Sequence, residues 1–292
     1  MDKIKLLEVS DALLGSEYVR SWQALEVLVP QLNGFAYDFM DPGQYQQLVE
    51  QDPRRGAAVY WREMLHRAHW AGASSLIRTH RWLSGTLQAF DDRNLIVFSA
   101  CIRGLLESSA DTWDALGAVA ITIAAHRPLI SDALDGRLHK SCVAEDLENR
   151  LIHFTFARNP EKGVMASDHH RAKRVSAYLE HFEQEQPSIR KFYTHLCDLV
   201  HPGARSILSF VRASEQGTKI TLSLSEEDQH LTWLGGALRL VVPEIMAGGF
   251  NTGVLILKTL NAFPVKEVHT PAIDKIPLLP IPAWRQIQDL LR

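Results

Sequence analysis

The chain has 292 residues, of which 46% are hydrophobic and 22% charged, and its formal net charge is -3 at pH 7. This composition is typical of a globular protein and excludes a disordered chain. There is no overall basic excess of the kind that marks many nucleic-acid-binding proteins. The three cysteines, Cys101, Cys142 and Cys197, are too sparse for a disulfide framework, so reduced thiols and a cytoplasmic location are expected.

Residues 1–56 are predicted to form a mixed segment, with a helix over 19–32 and turn signals around Asp41 and Asp52. Apolar residues then recur at helical spacing from residue 57 to about residue 83. The next helix starts at Asp91-Asp92 and runs past Trp113, with a break expected near Gly117 and an end before Pro128. Three helices are predicted after that, and their expected spans are 141–158, 167–184 and 188–201.

After the predicted helices, the sequence pattern becomes typical of β-strands. Two β-rich runs, Ser206–Arg212 and Thr218–Leu224, predict a hairpin at about 205–224, and a helix follows. The apolar stretch 231–263 is interrupted by charged residues and Pro243, which favours a buried helix pair over a membrane span, so no membrane partner is expected.

The expected architecture is mainly α: a helical bundle with one inserted β-hairpin and a Pro-rich C-terminal tail. The predicted divisions are a mixed segment (1–56), the bundle domain with its hairpin (57–263) and the tail with a short terminal helix (264–292).

The helix over 188–201 presents two polar faces. At 100° per residue, Arg190, Cys197 and His201 share one sector with Tyr193 beside it. His195 and Asp198 lie on another side, three residues apart and able to touch. Cys197 and His201 have the spacing of two metal ligands or of a thiolate with its base, and equally that of a buried thiol with a helix-terminal imidazole.

Arg103 and Glu107 lie four residues apart in a largely apolar helix. A charged pair in such surroundings needs a partner from another helix, and His201 or Tyr193 is the predicted one. We therefore expect a buried polar cluster of Arg103, Glu107, Tyr193, Cys197 and His201. Holding the bundle together and binding a small anion both remain open as its role.

A metal site is the remaining chemical alternative. Glu63 and His66 have the Glu-x-x-His spacing of carboxylate-bridged di-iron bundles, with Glu107 and Glu148 as possible lone carboxylates. Apart from this alternative, no cofactor is expected.

The run Arg190-Lys-Phe-Tyr-Thr-His195 resembles the Arg-x4-His motif of the HEPN superfamily of helical ribonucleases. The resemblance implies a metal-independent endoribonuclease or a toxin-like defence effector, with RNA as substrate and a homodimer as the active form. Arg190 and His195 would be its catalytic residues: the imidazole would move the proton of the 2′-hydroxyl and the guanidinium would hold the phosphate.

A second resemblance rests on Arg103-Gly-Leu-Leu-Glu107 and Tyr193-x-x-Leu-Cys-x-x-Val-His-Pro202. These motifs are similar to those of a loose group of uncharacterised bacterial helical proteins, some of them distantly HEPN-like or like abortive-infection proteins. The resemblance implies one polar cluster between helices and no particular reaction. Three functions therefore stay open: a ribonuclease, a non-enzymatic binding or interaction module, and a metalloenzyme.

Overall fold

A computed structural model describes these residues of the chain: 3–139, 142–157, 167–214, 216, 218–278 and 281–292. Of the described residues, 76% are helical, and they contain one two-stranded antiparallel sheet between residues 211 and 222. The predicted fold class, mainly α with an inserted hairpin, is confirmed.

The helices of the first half of the chain are α1 (Lys3–Leu14), α2 (Ser16–Gln31), α3 (Pro42–Gln51), α4 (Pro53–Asp91), α5 (Leu95–Leu116), α6 (Val119–Ala125) and α7 (Arg127–Leu134). The segment predicted to be mixed thus contains three helices. Helix α3 begins where the Asp41 carboxylate accepts hydrogen bonds from the backbone N–H groups of Gly43 and Gln44. This side-chain cap satisfies donors that a helix start leaves unpaired.

The elements of the second half are α8 (Glu145–Phe156), α9 (Val175–Glu185), α10 (Ser188–Val200), α11 (Ala204–Leu208), β1 (Val211–Ala213), β2 (Ile220–Leu222), α12 (Leu224–Arg239), α13 (Val242–Ile245), α14 (Thr252–Leu260) and α15 (Pro282–Leu290). A π-helix at Met246–Asn251 leads into α14, and 3-10 turns lie at Asp168–His170, Lys266–Val268 and Pro271–Lys275.

Two predicted elements differ in extent. The helix expected over 167–184 begins only at Val175, because the charged and imidazole side chains before it offer almost no apolar face to bury. The first three residues of the first predicted strand are helical, since Ser206–Leu208 belong to α11, where the Ser206 hydroxyl donates to the Gly203 carbonyl. Ser141 and Asn159, the expected limits of the helix that became α8, lie outside the described residues.

The chain divides into two compact units. One combines Met1–Glu26, Ile77–Asp111 and Arg174–Phe250; the other combines Val27–Leu76, Thr112–Lys173 and Asn251–Arg292. Each unit therefore joins three stretches distant in sequence, whereas the three predicted segments follow chain order.

The first unit packs α1 against α12 and α9 against α10. Phe98, Leu105, Phe192 and Leu234 are among its buried side chains. Gly235 of α12 gives Leu13 room, since a Cβ at this glycine would lie 3.0 Å from a Leu13 methyl group.

The second unit packs α6 against α14 and α15 around buried residues such as Trp61 and Ile256. Its buried His69 links two distant segments: the Tyr37 hydroxyl lies 2.7 Å from Nδ1, and the Thr270 hydroxyl lies 2.8 Å from Nε2. Burial, with the nearby His66 charge, lowers the pKa of His69 to about 4.

Across the described residues no single helix is long and apolar enough to cross a membrane. One bent pair, Leu224–Arg239 with Val242–Leu260, has the length and composition of a membrane span when its two helices are taken together.

Candidate functional site

Helix α10 carries most of the candidate residues. It spans Ser188–Val200, close to the predicted 188–201, and its apolar stripe is buried, including Phe192 and Leu196. The backbone leaves the helical conformation at His201, as expected for the residue that precedes Pro202. The remaining sides of α10 face two different sets of neighbours within the first unit.

One side of α10 meets α5 in a polar cluster, which we call the Arg103 cluster (Arg103, Glu107, Tyr193, Cys197 and His201). Arg103 donates from Nε to the Glu107 carboxylate at 2.8 Å and from Nη1 to His201 Nε2 at 2.9 Å. The Tyr193 hydroxyl donates to the same Glu107 oxygen at 2.6 Å. Cys197 lies close enough to Tyr193 to raise the pKa of its hydroxyl, so the structure brings all five residues together.

The Arg103 cluster is half-buried rather than fully buried. The side chains of Arg103 and Glu107 are 23% and 29% exposed, and His201 is exposed. Burial, helped by the hydrogen bond to Glu107, raises the pKa of Tyr193, which keeps its phenol protonated as a donor. Because Arg103 directs its donors to groups of the protein itself, the cluster is built to hold α10 against α5.

The other side of α10 lines a groove shared with α12, which we call the α10–α12 groove. It encloses about 1110 Å³ and has a mostly apolar lining. Phe192 and Val241 are its buried apolar residues, while Trp233 and Leu240 border it with 53% and 63% of their surface exposed. Its size is at the upper end for small-molecule sites, which are likewise mostly apolar with a few placed polar groups.

Polar groups gather at one end of the groove. Arg205 of α11 donates to His195 Nδ1 at 3.2 Å and forms an ion pair with Asp198 at 3.0 Å. The Trp233 indole lies edge-on to the His195 ring, with centroids 4.7 Å apart. His230 lines the same end and is close enough to His195 to act on its charge.

His195 is held neutral with one unused donor. Burial, followed by the positive charges of Arg205 and His230, lowers the pKa of His195 against the opposing effect of Asp198. Since a guanidinium can only donate, Nδ1 is the acceptor and the imidazole proton lies on Nε2. Nε2 is shielded from solvent and has no hydrogen-bond partner in the described part of the chain. An unpaired buried donor costs about 1–3 kcal/mol, which an acceptor on a ligand would recover.

The other end of the groove is apolar. Gln186, just before α10, donates to the backbone carbonyl of Leu240, just after α12, so the start of α10 lies beside the end of α12. Phe192, Ala237, Leu240 and Val241 line this end, with Ser188 as a small polar residue among them. The groove is therefore polar at one end and apolar at the other.

The structure does not join the predicted catalytic pair. Arg190 binds Glu183 of α9 through Nε and Nη2, at 2.9 and 2.7 Å. Five residues along a helix turn His195 about 140° away from Arg190, and the guanidinium that contacts His195 belongs to Arg205. Arg190 is not among the residues that line the groove.

The structure does not bring the four possible metal ligands together, although two of them lie beside one cavity. Glu63 accepts the Met40 N–H at 2.6 Å, and Glu148 accepts the Tyr60 hydroxyl at 3.3 Å, both beside a cavity of about 550 Å³ in the second unit. His66 is buried beside Tyr37 and Phe39 in that unit, and Glu107 belongs to the first unit. In the residues that the structure describes, no three His, Cys, Asp or Glu side chains are arranged to hold a metal ion.

Sequence reasoning missed Arg205, His230 and Trp233. The sequence did contain a signal for His230 and Trp233. One helix face is indicated by the spacing of His230, Trp233, Ala237 and Leu240. This face is separate from the buried stripe of α12 that contains Leu231, Leu234 and Leu238. Arg205 follows the Pro-Gly break after α10, and no local pattern ties it to His195.

No protein-family model, curated protein or solved structure matches this chain. The resemblances to HEPN ribonucleases and to bacterial helical proteins therefore remain predictions based on two short motifs, and function must be argued from the site.

Proposed function

We propose that this protein is a non-enzymatic ligand-binding module whose binding site is the α10–α12 groove. The observation that carries the proposal is an open, mostly apolar groove bordered by the exposed side chains of Trp233 and Leu240. Covering apolar surface of this kind stabilises a complex by roughly 25 cal/mol per Å² before the losses of association are subtracted. Three free cysteines support a cytoplasmic location for the module.

The Arg103 cluster supports this function indirectly. It fixes α10 to α5 on the side away from α12, so one wall of the groove is held by charge-assisted hydrogen bonds before any ligand arrives. A wall that is already ordered lowers the entropy that binding would otherwise lose.

Filling the groove tests the proposal. A Cβ on Gly236, which lines the groove, would have no heavy atom within 4 Å, so Gly236→Phe can place a ring there without a backbone clash. We expect the neutral fluorescent probe N-phenyl-1-naphthylamine to bind the wild-type protein and to bind Gly236→Phe about tenfold more weakly. Gln229→Phe, which adds the same ring at an exposed position of α12 outside the groove, is the matched control.

The melting temperatures of both variants should be no lower than that of the parent, to show that each is folded. Equal probe binding by the parent and by Gly236→Phe would remove the groove as the binding site.

A ribonuclease is the second candidate, because the same groove holds a neutral imidazole, a guanidinium and an exposed aromatic ring. Arg205 would turn from His195 Nδ1 to hold the phosphate, which frees Nδ1 to accept the proton of a 2′-hydroxyl, and Trp233 would stack on a base. In this ribonuclease hypothesis Arg205 takes the phosphate-binding role that the sequence had suggested for Arg190, and RNA remains the proposed partner.

Cleavage of a single-stranded RNA in the presence of EDTA tests this candidate. We expect activity to disappear in His195→Ala and to fall in Arg205→Ala, whereas Arg190→Ala should remain active. Loss in Arg190→Ala with activity kept in Arg205→Ala would instead restore the Arg190–His195 pair of the HEPN resemblance. Cleavage that persists in a folded His195→Ala protein would contradict both assignments.

A further inference from the structure

The two ends of the α10–α12 groove differ in chemistry. His195, Asp198, Arg205 and His230 meet at the end formed by the second half of α10 and the first half of α12. The other end is lined mainly by carbon atoms. The distance along α10 from Ser188 to Asp198 is about 15 Å, ten residues at 1.5 Å each. A ligand that fills the groove must therefore be polar at one end and apolar over most of its length.

We infer that the groove binds a single-chain amphiphile with an anionic oxygen headgroup, a carboxylate or a phosphate, which lies at His195 and Arg205. The inference rests on the proposed function and adds the class of ligand to it.

The sign of the headgroup follows from the donors at the polar end. The unpaired Nε2–H of His195 needs an oxygen acceptor. Arg205 adds a guanidinium, whose ion pair with Asp198 occupies only part of its five N–H donors. Lys191, in the first half of α10, is exposed and lies nearer the apolar end, so it does not face the headgroup directly. A cationic headgroup would meet the Arg205 guanidinium, and the one carboxylate among the residues that line the groove, Asp198, is already paired with Arg205.

Access to the donor involves Trp233. Its indole lies against the His195 ring but is half exposed, so it has room to turn as the headgroup enters. The chain of the amphiphile would then run beside Ala237 toward Leu240 and Val241, where burial of each methylene adds to the affinity.

Four compounds with twelve-carbon chains separate charge from length: dodecanoate (whose carboxyl carbon is the twelfth), dodecyl phosphate, dodecanol and dodecyltrimethylammonium. Each is titrated below its micelle-forming concentration against N-phenyl-1-naphthylamine bound to the wild-type protein. We expect dodecanoate or dodecyl phosphate to displace the probe at concentrations about tenfold lower than dodecanol, as a charge-assisted hydrogen bond predicts. The stronger of the two identifies the headgroup, and the ammonium compound should be the weakest.

Two variants test whether the headgroup binds at Arg205 and His195. Arg205→Gln removes the cation, and His195→Phe keeps a ring while removing the donor. Each should weaken binding of the anionic compound about tenfold and leave that of dodecanol little changed. Arg212→Gln is the matched control, because Arg212 is as exposed as Arg205 (60% against 58%), has an ion pair of its own with Glu226 and lies outside the groove.

The outcomes separate this inference from the proposed function. Displacement by dodecanol at the same concentration as dodecanoate would overturn the anionic headgroup while leaving the groove as a binding site. A probe that binds equally well to Gly236→Phe would instead overturn the proposed function. Tighter binding of an acidic amphipathic helical peptide than of any dodecyl compound would overturn the single-chain ligand in favour of a protein partner.

Discussion

At the scale of single residues, an imidazole on α10 and the imidazole of the residue that ends α10 have different surroundings. His201 accepts a hydrogen bond from Arg103 at an exposed position, and His195 accepts one from Arg205 in the groove. The environment of each ring, not its residue type, separates a part of a structural cluster from a part of a binding site. The Arg103 cluster can be tested apart from the groove because its residues do not line it.

Replacing Glu107 by Gln should lower stability by about 1–2 kcal/mol, since a half-buried Arg103 loses its ionic partner while Tyr193 keeps an acceptor. His201→Ala should cost less, because that side chain is exposed and Arg103 can turn to water. Thermal unfolding measures both, with a shift of about 2–4 °C per kcal/mol expected. If Glu107→Gln melts at the temperature of the parent, the cluster does not stabilise the fold.

At the scale of elements, the π-helix before α14 depends on glycine. A Cβ at Gly248 would lie 2.5 Å from the Ser109 backbone oxygen and 2.6 Å from Phe182. The backbone there approaches α5 too closely for any side chain, and a neighbouring backbone cannot move aside as a flexible side chain can.

Gly248→Ala should therefore destabilise the protein by about 1–3 kcal/mol. Gly236→Ala in α12 is the matched comparison, because open space surrounds its Cβ and alanine favours the helix by about 1 kcal/mol. Urea unfolding of both variants checks the opposite signs. A stabilised Gly248→Ala protein would show that the π-helix can relax to accept the methyl group.

At the scale of the whole molecule, acid should weaken the fold through His69. Its pKa is lowered to about 4 in the folded protein, against about 6.5 for an unperturbed histidine, so the unfolded chain binds the proton more readily. Stability should then fall as pH decreases from about 6.5 to 4 and level off below, by at most about 3 kcal/mol.

Urea unfolding at pH values across this window tests the expectation. His69→Gln should flatten the pH dependence, and His169→Gln, at an exposed position, is the control. An unchanged slope in His69→Gln would assign the acid sensitivity to other groups.

The helical class, the place of the hairpin, the bounds of α10 and the division of that helix into faces could all be predicted from the sequence. These depend on periodicity and on Pro and Gly signals, which are local properties of the chain. The two motifs also predicted that Tyr193 or His201 would meet Arg103 and Glu107.

The residues that face His195 across the α10–α12 groove could be identified only from the three-dimensional structure. Arg205 follows the Pro202-Gly203 turn that ends α10, and sequence patterns do not predict the direction of the chain after such a turn. Trp233 is on a helix and lies 38 positions beyond His195 in the sequence. The structure also shows that Arg190 pairs with Glu183, whereas His195 lines the groove and contacts Arg205. Helical spacing fixes which side chains share a face, but which faces meet is decided by packing between stretches far apart in sequence, such as the 98 positions between Arg103 and His201.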